Sequence, residues 1–360
     1  MIHSFDRLRR VGLTPAVVQQ FLSLSAPCAQ PILLRVTEVQ REGLLLHDGL
    51  AEQAGRMLPA LRTVLAEQAD AIAVGDWVVA EHRAHGECWV HQRLPPSNQL
   101  ARRLHDGRDK VARVVIVSNV DTALLVMGLD HDYNLRRLER YVALVRMAGV
   151  AAVVVLTKKD LCEPATAAAR LREVQAMLAP PAVAVAVDAL GDEPAQALQP
   201  WLQAGQTLVL LGSSGAGKST LTNALVGAAV QFIGSNRDGD SRGRHTTTTR
   251  SLHTTAQGAC IVDTPGLRTL RLDGEAQALA AVFDDIATLS ARCHFRDCRH
   301  EAEPGCAVRG SVSDERLRNY RKLLREASRD SITALERKTQ VQHWKARSRE
   351  SRMRADAKRG

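Results

Sequence analysis

The 360-residue chain lacks any run of about 18 apolar residues, which excludes a helical membrane span. Its opening stretch, MIHSFDRLRR, lacks an apolar signal core and a small-residue cleavage site, so a cytoplasmic protein is expected. An even cysteine set is also missing. Seven cysteines in a cytoplasmic chain argue against a disulfide framework and for a metal site. No internal repeat is visible. Acids are in deficit: 39 Asp and Glu against 48 Lys and Arg leave a formal charge of +9. Such a surplus favours a polyanionic partner, nucleic acid or anionic membrane, although a merely basic enzyme fits the charge equally well.

What is present reads as several domains. The length suits two or three. Residues 1–30 read as a helical extension in which Thr14 caps and Pro15 opens the helix TPAVVQQFLSL. Residues 31–105 read as a small all-β barrel of the OB type, with an SH3-like barrel as the alternative. Its five expected strands are ILLRVTEV, GLLLHDG, RTVLAE, DWVVAEHR and ECWVHQRL. Trp77 and Trp89 lie in these strands and are read as core. Residues 106–280 alternate apolar runs with helices (DTALLVMG, NLRRLERYVALVRMAG, VAAVVVL, ATAAARLREVQAML, PAVAVAV, QTLVLLG, ACIVD), the pattern of βαβ units around a buried parallel sheet. Residues 281–336 hold a Cys/His cluster and a helix, SDERLRNYRKLLREAS, capped by Ser313. Residues 337–360 form a basic tail with nine Lys/Arg against two acids.

The segment GSSGAGKST, Gly212 to Thr220, fits G-x4-G-K-[ST], preceded by an apolar strand and followed by an apolar helix. Gly212, Ser213, Ser214, Gly215, Ala216 and Gly217 form a loop whose amides can turn inward onto phosphate oxygens. Lys218 is expected to reach the β- and γ-phosphates, and the Ser219 hydroxyl to ligate Mg²⁺; Thr220 follows in the helix. DTPG ends the next strand. There Asp263 can hold Mg²⁺ through water, and the Gly266 amide can sense the γ-phosphate. Between these motifs, one of Thr246, Thr247 or Thr248 can supply a second Mg²⁺ hydroxyl, with Thr247 preferred.

Thr157-Lys158-Lys159-Asp160 stands some fifty residues before the phosphate loop. A carboxylate at 160 can accept from the N1–H and N2–H₂ edge of guanine, a donor pair that adenine lacks. The Lys158 stem can cover the base. No second [NT]-K-x-D follows DTPG. Circular permutation reconciles this order with one pocket, because domain termini often lie close together. Ala189 can serve the base-capping loop, although Asp188 stands where Ser is usual.

Cys293, Cys298, His300 and Cys306 form C-x4-C-x-H-x5-C, a closed set for one structural Zn²⁺, with His294 as an alternative nitrogen ligand. The other cysteines, Cys28, Cys88, Cys162 and Cys260, read as buried structural thiols.

The order of these features, carried by VGDWV, NVDTALLVM, NLRRLERY, LTKKDLC, GSSGAGKSTL, GRHTTTTR, DTPGLR and CHFRDCRHEAEPGCAV, resembles the ribosome small-subunit-dependent GTPase A (RsgA) family over essentially the whole chain. Departures are Asp188 and Pro96, where the family usually shows Arg. The resemblance implies an N-terminal OB-type barrel, a circularly permuted GTPase domain and a C-terminal zinc-binding helical domain. It implies hydrolysis of GTP to GDP and phosphate, stimulated by the small ribosomal subunit during its late maturation. It further implies a cytoplasmic monomer whose barrel and zinc domain contact ribosomal RNA. Ras-like enzymes position water with a Gln after D-x-x-G. Here that position is Leu267, so His245 is the candidate for the water-orienting group or general base, with an RNA contact or switch ordering as its other reading. Gly215 stands where some Gln-lacking GTPases carry an Asn associated with K⁺, so K⁺ use is not implied.

Overall fold

The computed structural model describes residues 5–25, 27–83, 86–105, 111–178, 180–227, 250–263, 279 and 282–331. The chain divides into two compact units, residues 1–104 with 112–271, and residues 105–111 with 272–360.

The first unit opens with α1 (Phe5–Leu8) and α2 (Pro15–Ser23). Thr14 is extended, but its side chain makes no capping bond; the fixed φ of Pro15 in the first turn sets the entry instead. A barrel follows: β1 (Ile32–Val39), β2 (Leu44–His47), β3 (Glu52–Met57), α3 (Pro59–Glu67), β4 (Trp77–His82) and β5 (Cys88–Arg93). Its ring runs β1-β2-β3-β5-β4 and closes through β1–β4, with β3–β5 parallel. Alternation along the strands sends Leu34, Val36, Leu44, Leu46, Val78 and Val90 inward, where Leu61 and Leu65 of α3 pack on them.

Two expectations fail here. RTVLAE is not a strand but the end of α3, whose buried Leu61 and Leu65 stand one helical turn apart. The fifth strand is instead the polar segment EQAGRM of β3. Trp77 is core as expected, at 1% exposure. Trp89 is only half-buried; its Nε1 donates to Glu87 at 3.0 Å and the Arg83 guanidinium lies 5.2 Å from its ring.

A two-stranded sheet the sequence did not announce, β6 (Gln99–His105) with β7 (Val111–Ser118), leads into the α/β part. There follow β8 (Thr122–Gly128), α4 (Leu135–Met147), β9 (Ala151–Thr157), α5 (Pro164–Met177), β10 (Val183–Ala186), α6 (Glu193–Ala197), β11 (Thr207–Gly212), α7 (Lys218–Val226), β12 (Ser251–Thr254) and β13 (Cys260–Asp263). The sheet order is β10-β9-β8-β11-β13-β12, all parallel except β12. β8 and β11 are buried at every residue, as strands covered on both faces must be. Asn134 caps α4 by accepting from the Arg137 amide at 3.0 Å.

One antiparallel pairing, Glu38 with Ser251, joins barrel and sheet. The stronger tie is Arg35 of β1, 1% exposed. Its guanidinium donates to the carbonyls of Gly12 and Asn119 and to Thr207 Oγ1, each at 3.3 Å, and lies 4.9 Å from the Trp77 ring. These three bonds and the ring face offset part of the cost of burying the cation, although its Nε has no hydrogen-bond partner.

The second unit contains α8 (Asp284–Ser290) and α9 (Asp314–Ser331). Ser313 Oγ accepts from the Arg316 amide at 3.3 Å, the expected cap. The Arg316 side chain grips Asp285 with two bonds of 2.8 and 2.9 Å and covers Phe283, which meets Tyr320 edge-on. Among the described residues no helix is long and apolar enough to cross a membrane.

Candidate nucleotide site and metal centre

The C-terminal ends of β8, β9, β11 and β13 lie side by side, and the loops that leave them form the site. In open α/β sheets this is where ligands bind. β11 delivers the loop Gly212–Gly217 to the start of α7. Gly212 is required by close approach: a Cβ there would lie 2.3 Å from the Val126 carbonyl oxygen of the neighbouring strand. Gly217 has φ of +89°, which favours glycine, and faces Thr157. Lys218 Nζ donates to the carbonyls of Gly212 and Ser213 at 2.9 and 2.6 Å, so the ammonium lies against the loop it serves. Ser214 and Gly215 are exposed, while Ser219 and Thr220 are half-buried in the first turn of α7.

β9 delivers Thr157-Lys158-Lys159-Asp160. Thr157 is fully buried, and its hydroxyl donates to the Ala216 carbonyl at 2.6 Å. The early loop and the phosphate loop therefore touch, although 59 positions separate the two residues. Lys158 takes a left-handed conformation, φ +60°, turning the chain into a short 3₁₀ turn that leaves Asp160 exposed. Asp263 is buried at the end of β13, opposite Ser251. Ala189 is buried in the loop after β10.

Three acids missing from the sequence reading organise these loops. Lys158 Nζ donates to Asp130 at 2.7 Å, and Ser213 Oγ to Asp132 at 2.5 Å. Asp132 also accepts from the Gly128 amide at 3.1 Å. Burial pushes the Asp130 carboxyl up, but the Lys158 bond and the Asp132 amide outweigh it and hold the group below its ordinary range. Glu193 accepts from Lys159 and from the Asp188 amide, joining the Thr157–Asp160 loop to the Ala189 loop. The signal for Asp130 and Asp132 was available: two acids in GLDHDYN directly after a buried strand. His245, Thr246, Thr247, Thr248, Gly266, Leu267 and the basic tail lie outside the described residues.

Replacing Thr157 with valine keeps the shape and strands the buried Ala216 carbonyl. We expect a loss of about 1–3 kcal/mol in urea unfolding, together with weaker nucleotide binding.

In the second unit, Cys293, Cys298, His300 and Cys306 bring one donor atom each to within 4.8 Å of the others. Cys293 and Cys306 Sγ lie 3.7 and 3.5 Å from His300 Nδ1. Tetrahedral zinc with ordinary Zn–S and Zn–N bonds separates donors by about 3.5–3.8 Å, so the set fits. Ser290 Oγ sits 3.0 Å from His300 Nε2, turning Nδ1 to the thiols. Burial, then the Arg321 charge, lower the His300 pKa and favour the neutral, ligating imidazole. His294 stacks edge-on against Phe295 at 4.7 Å and is not part of the cluster. Of the remaining cysteines, Cys88 and Cys260 are buried as expected, whereas Cys28 and Cys162 are only half-buried.

A phosphate loop on β11, a T-K-x-D loop on the adjoining β8–β9 pair and a DTPG strand on the far side, met in permuted order, define a circularly permuted P-loop GTPase. The fold is similar to that of YjeQ from Thermotoga maritima, with TM-score 0.61 and 23% identity over 83% of this chain and 99% of that one. It is likewise similar to YloQ, described as a circularly permuted GTPase, with TM-score 0.56 and 22% identity over 84% of this chain and 97% of that one. The model of the RsgA GTPase family matches residues 93–273. The small ribosomal subunit biogenesis GTPase RsgA of Xylella fastidiosa strain M23 is 46% identical over 296 residues, 80% of this chain and 86% of that protein. Small ribosomal subunit biogenesis GTPase RsgA 2 of Vibrio parahaemolyticus is 38% identical over 349 residues, 96% of this chain and 92% of that protein. The chain belongs to the RsgA GTPase family, and it is a GTP-hydrolysing enzyme.

Proposed function

We propose that this chain binds the small ribosomal subunit in the cytoplasm and hydrolyses GTP to GDP and phosphate during late subunit maturation, with the subunit stimulating turnover. The observation that carries the single-pocket reading is the 2.6 Å bond from Thr157 to Ala216, which seats the base-reading loop on the phosphate loop despite their reversed order. Asp160 reads the guanine edge, Lys158 covers the base and Lys159 steadies the loop through Glu193. Thr157 locks the loop to its neighbour, and Ala189 closes the base side. The amides of Gly212, Ser213, Ser214, Gly215, Ala216 and Gly217 cradle phosphate; Lys218 neutralises it, with Thr220 supporting the helix start. Ser219 and Thr247 hold Mg²⁺, Asp263 holds it through water, and Gly266 senses the γ-phosphate. Bound Mg²⁺ supplies charge neutralisation at the transferring phosphoryl group.

One structural Zn²⁺ held by Cys293, Cys298, His300 and Cys306 organises residues 281–336. The ring order of β1 to β5, with its parallel β3–β5 pair and a helix between β3 and β4, supports the OB reading of residues 31–105. That barrel, the zinc region and the basic residues 337–360 contact ribosomal RNA, the tail through phosphates and with strong salt dependence. Residues 1–30 extend the barrel, residues 106–280 form the GTPase domain, and the protein acts as a monomer.

His245 orients or deprotonates the attacking water. The decisive measurement is GTP turnover with and without purified small subunits. Stimulation is expected, and its absence would sink the assignment. In the same assay His245→Ala is expected to bind GTP normally yet lose about 100-fold in stimulated turnover. Full turnover in that variant removes His245 from the chemistry.

A further inference from the structure

A second group of metal-ligating side chains lies far from both the nucleotide loops and the Cys/His cluster in sequence. Cys28, Glu81 and His91 place one donor atom each within 4.8 Å of one another on the barrel. Ala80 and Val90 face the barrel core, so Glu81 and His91 project from its outer side. β4 and β5 slip register between Val79 and Ala80: these adjacent residues face Gln92 and Val90, leaving His91 as the extra residue of a bulge. A bulge re-aims a side chain, and here it turns His91 toward Glu81. His91 Nε2 lies 3.6 Å from Glu81 Oε2, close to the edge of about 3.4 Å that a tetrahedral zinc shell sets between nitrogen and oxygen donors. That distance is too long for a hydrogen bond, and the Nε2 atom is buried with no hydrogen-bond partner. Leaving such an atom unmatched is costly, and a cation between the two donors would resolve it. The third donor is held in place as well. The Gln30 amide donates to Glu81 Oε1 at 3.0 Å, which lays the loop carrying Cys28 beside the carboxylate while Oε2 faces His91.

We propose that Cys28, Glu81 and His91 form a second divalent-metal site, suited to Zn²⁺, whose fourth position is open to water or to an external donor. One thiolate, one imidazole and one carboxylate are borderline ligands of the kind zinc accepts, and three protein donors are what open zinc sites carry. Burial, then the Glu81 charge, push the Cys28 thiol up, so binding releases the thiol proton to solvent as the Zn–S bond forms.

The test is equilibrium dialysis of the full-length, metal-stripped chain against micromolar Zn²⁺, with metal counted by elemental analysis. Wild type is expected to hold two equivalents, and Cys28→Ala and His91→Ala one each. Cys298→Ser is expected to lose the other equivalent and keep this one. No equivalent remaining in Cys298→Ser, or a zinc count in both barrel variants equal to that of the wild type, overturns the proposal. Because His91→Ala alters a strand, a measurement on the unaltered chain stands beside it. Zn²⁺ should slow iodoacetamide labelling of Cys28, located by peptide mass, and an unchanged rate at saturating Zn²⁺ overturns the site.

Discussion

Asp160→Asn is expected to erase a preference for GTP on the order of 10⁴-fold and to transfer part of it to xanthosine triphosphate. The carboxylate offers two acceptors to the N1–H and N2–H₂ donors of guanine. Asparagine keeps one acceptor but sets an amide N–H₂ against the guanine N2–H₂, so one donor on each side loses its partner. Xanthine carries a carbonyl oxygen at position 2, which the new amide can satisfy. Lys158 and Lys159 hold the loop through Asp130 and Glu193, so the substitution at exposed Asp160 leaves those ties in place. Competition of GTP, ATP and xanthosine triphosphate against a fluorescent guanine nucleotide reads the result. An unchanged ranking would mean that Asp160 does not read the base.

The α/β part was legible because its strands are continuous apolar runs ended by motif loops, and each such run became a parallel strand. The barrel was less so. RTVLAE has a β-branched centre and, taken alone, passes for a strand. Extending the window to Pro59 and Leu61 reveals a proline in the first helical turn and an i, i+4 leucine pair, the helix signature that decides it. β3 shows little apolar alternation in its sequence because its inward positions hold Gln53, Gly55 and Met57, between the exposed Glu52, Ala54 and Arg56. Its place is fixed by neighbours on both sides and by Gly55, where a Cβ would meet Leu46 at 2.4 Å. Such a strand is defined by tertiary pairing rather than by its own pattern. The same holds for sites. Cys293 to Cys306 announces itself within 14 residues, whereas Cys28, Glu81 and His91 are united only by strand pairing, β4 with β5 and β1 with β4. Asp130 and Asp132 fall between: their position after a strand was readable, but the bonds to Lys158 and Ser213 were not.

Removing the metal proposed for Cys293, Cys298, His300 and Cys306 is expected to unfold the described part of the second unit while GTP binding by the first persists. The segment 282–331 has a small apolar core, chiefly Val282, Phe283, Ile286, Val308, Leu317 and Leu323. Segments of this size seldom hold together on apolar burial alone and need a staple. Structural zinc contributes about 10–16 kcal/mol in comparable small domains, far more than the Arg316–Asp285 pair or the Phe283–Tyr320 contact can replace. The nucleotide loops all spring from strands of the first unit, whose own cores are independent of these cysteines. Strong chelation, or Cys298→Ser, should therefore abolish the far-UV signal of α8 and α9, open this segment to proteolysis and leave the affinity for a GTP analogue within about twofold. Helicity and protease resistance that survive complete metal loss would show that the cluster is a thiol-lined core and not a zinc staple.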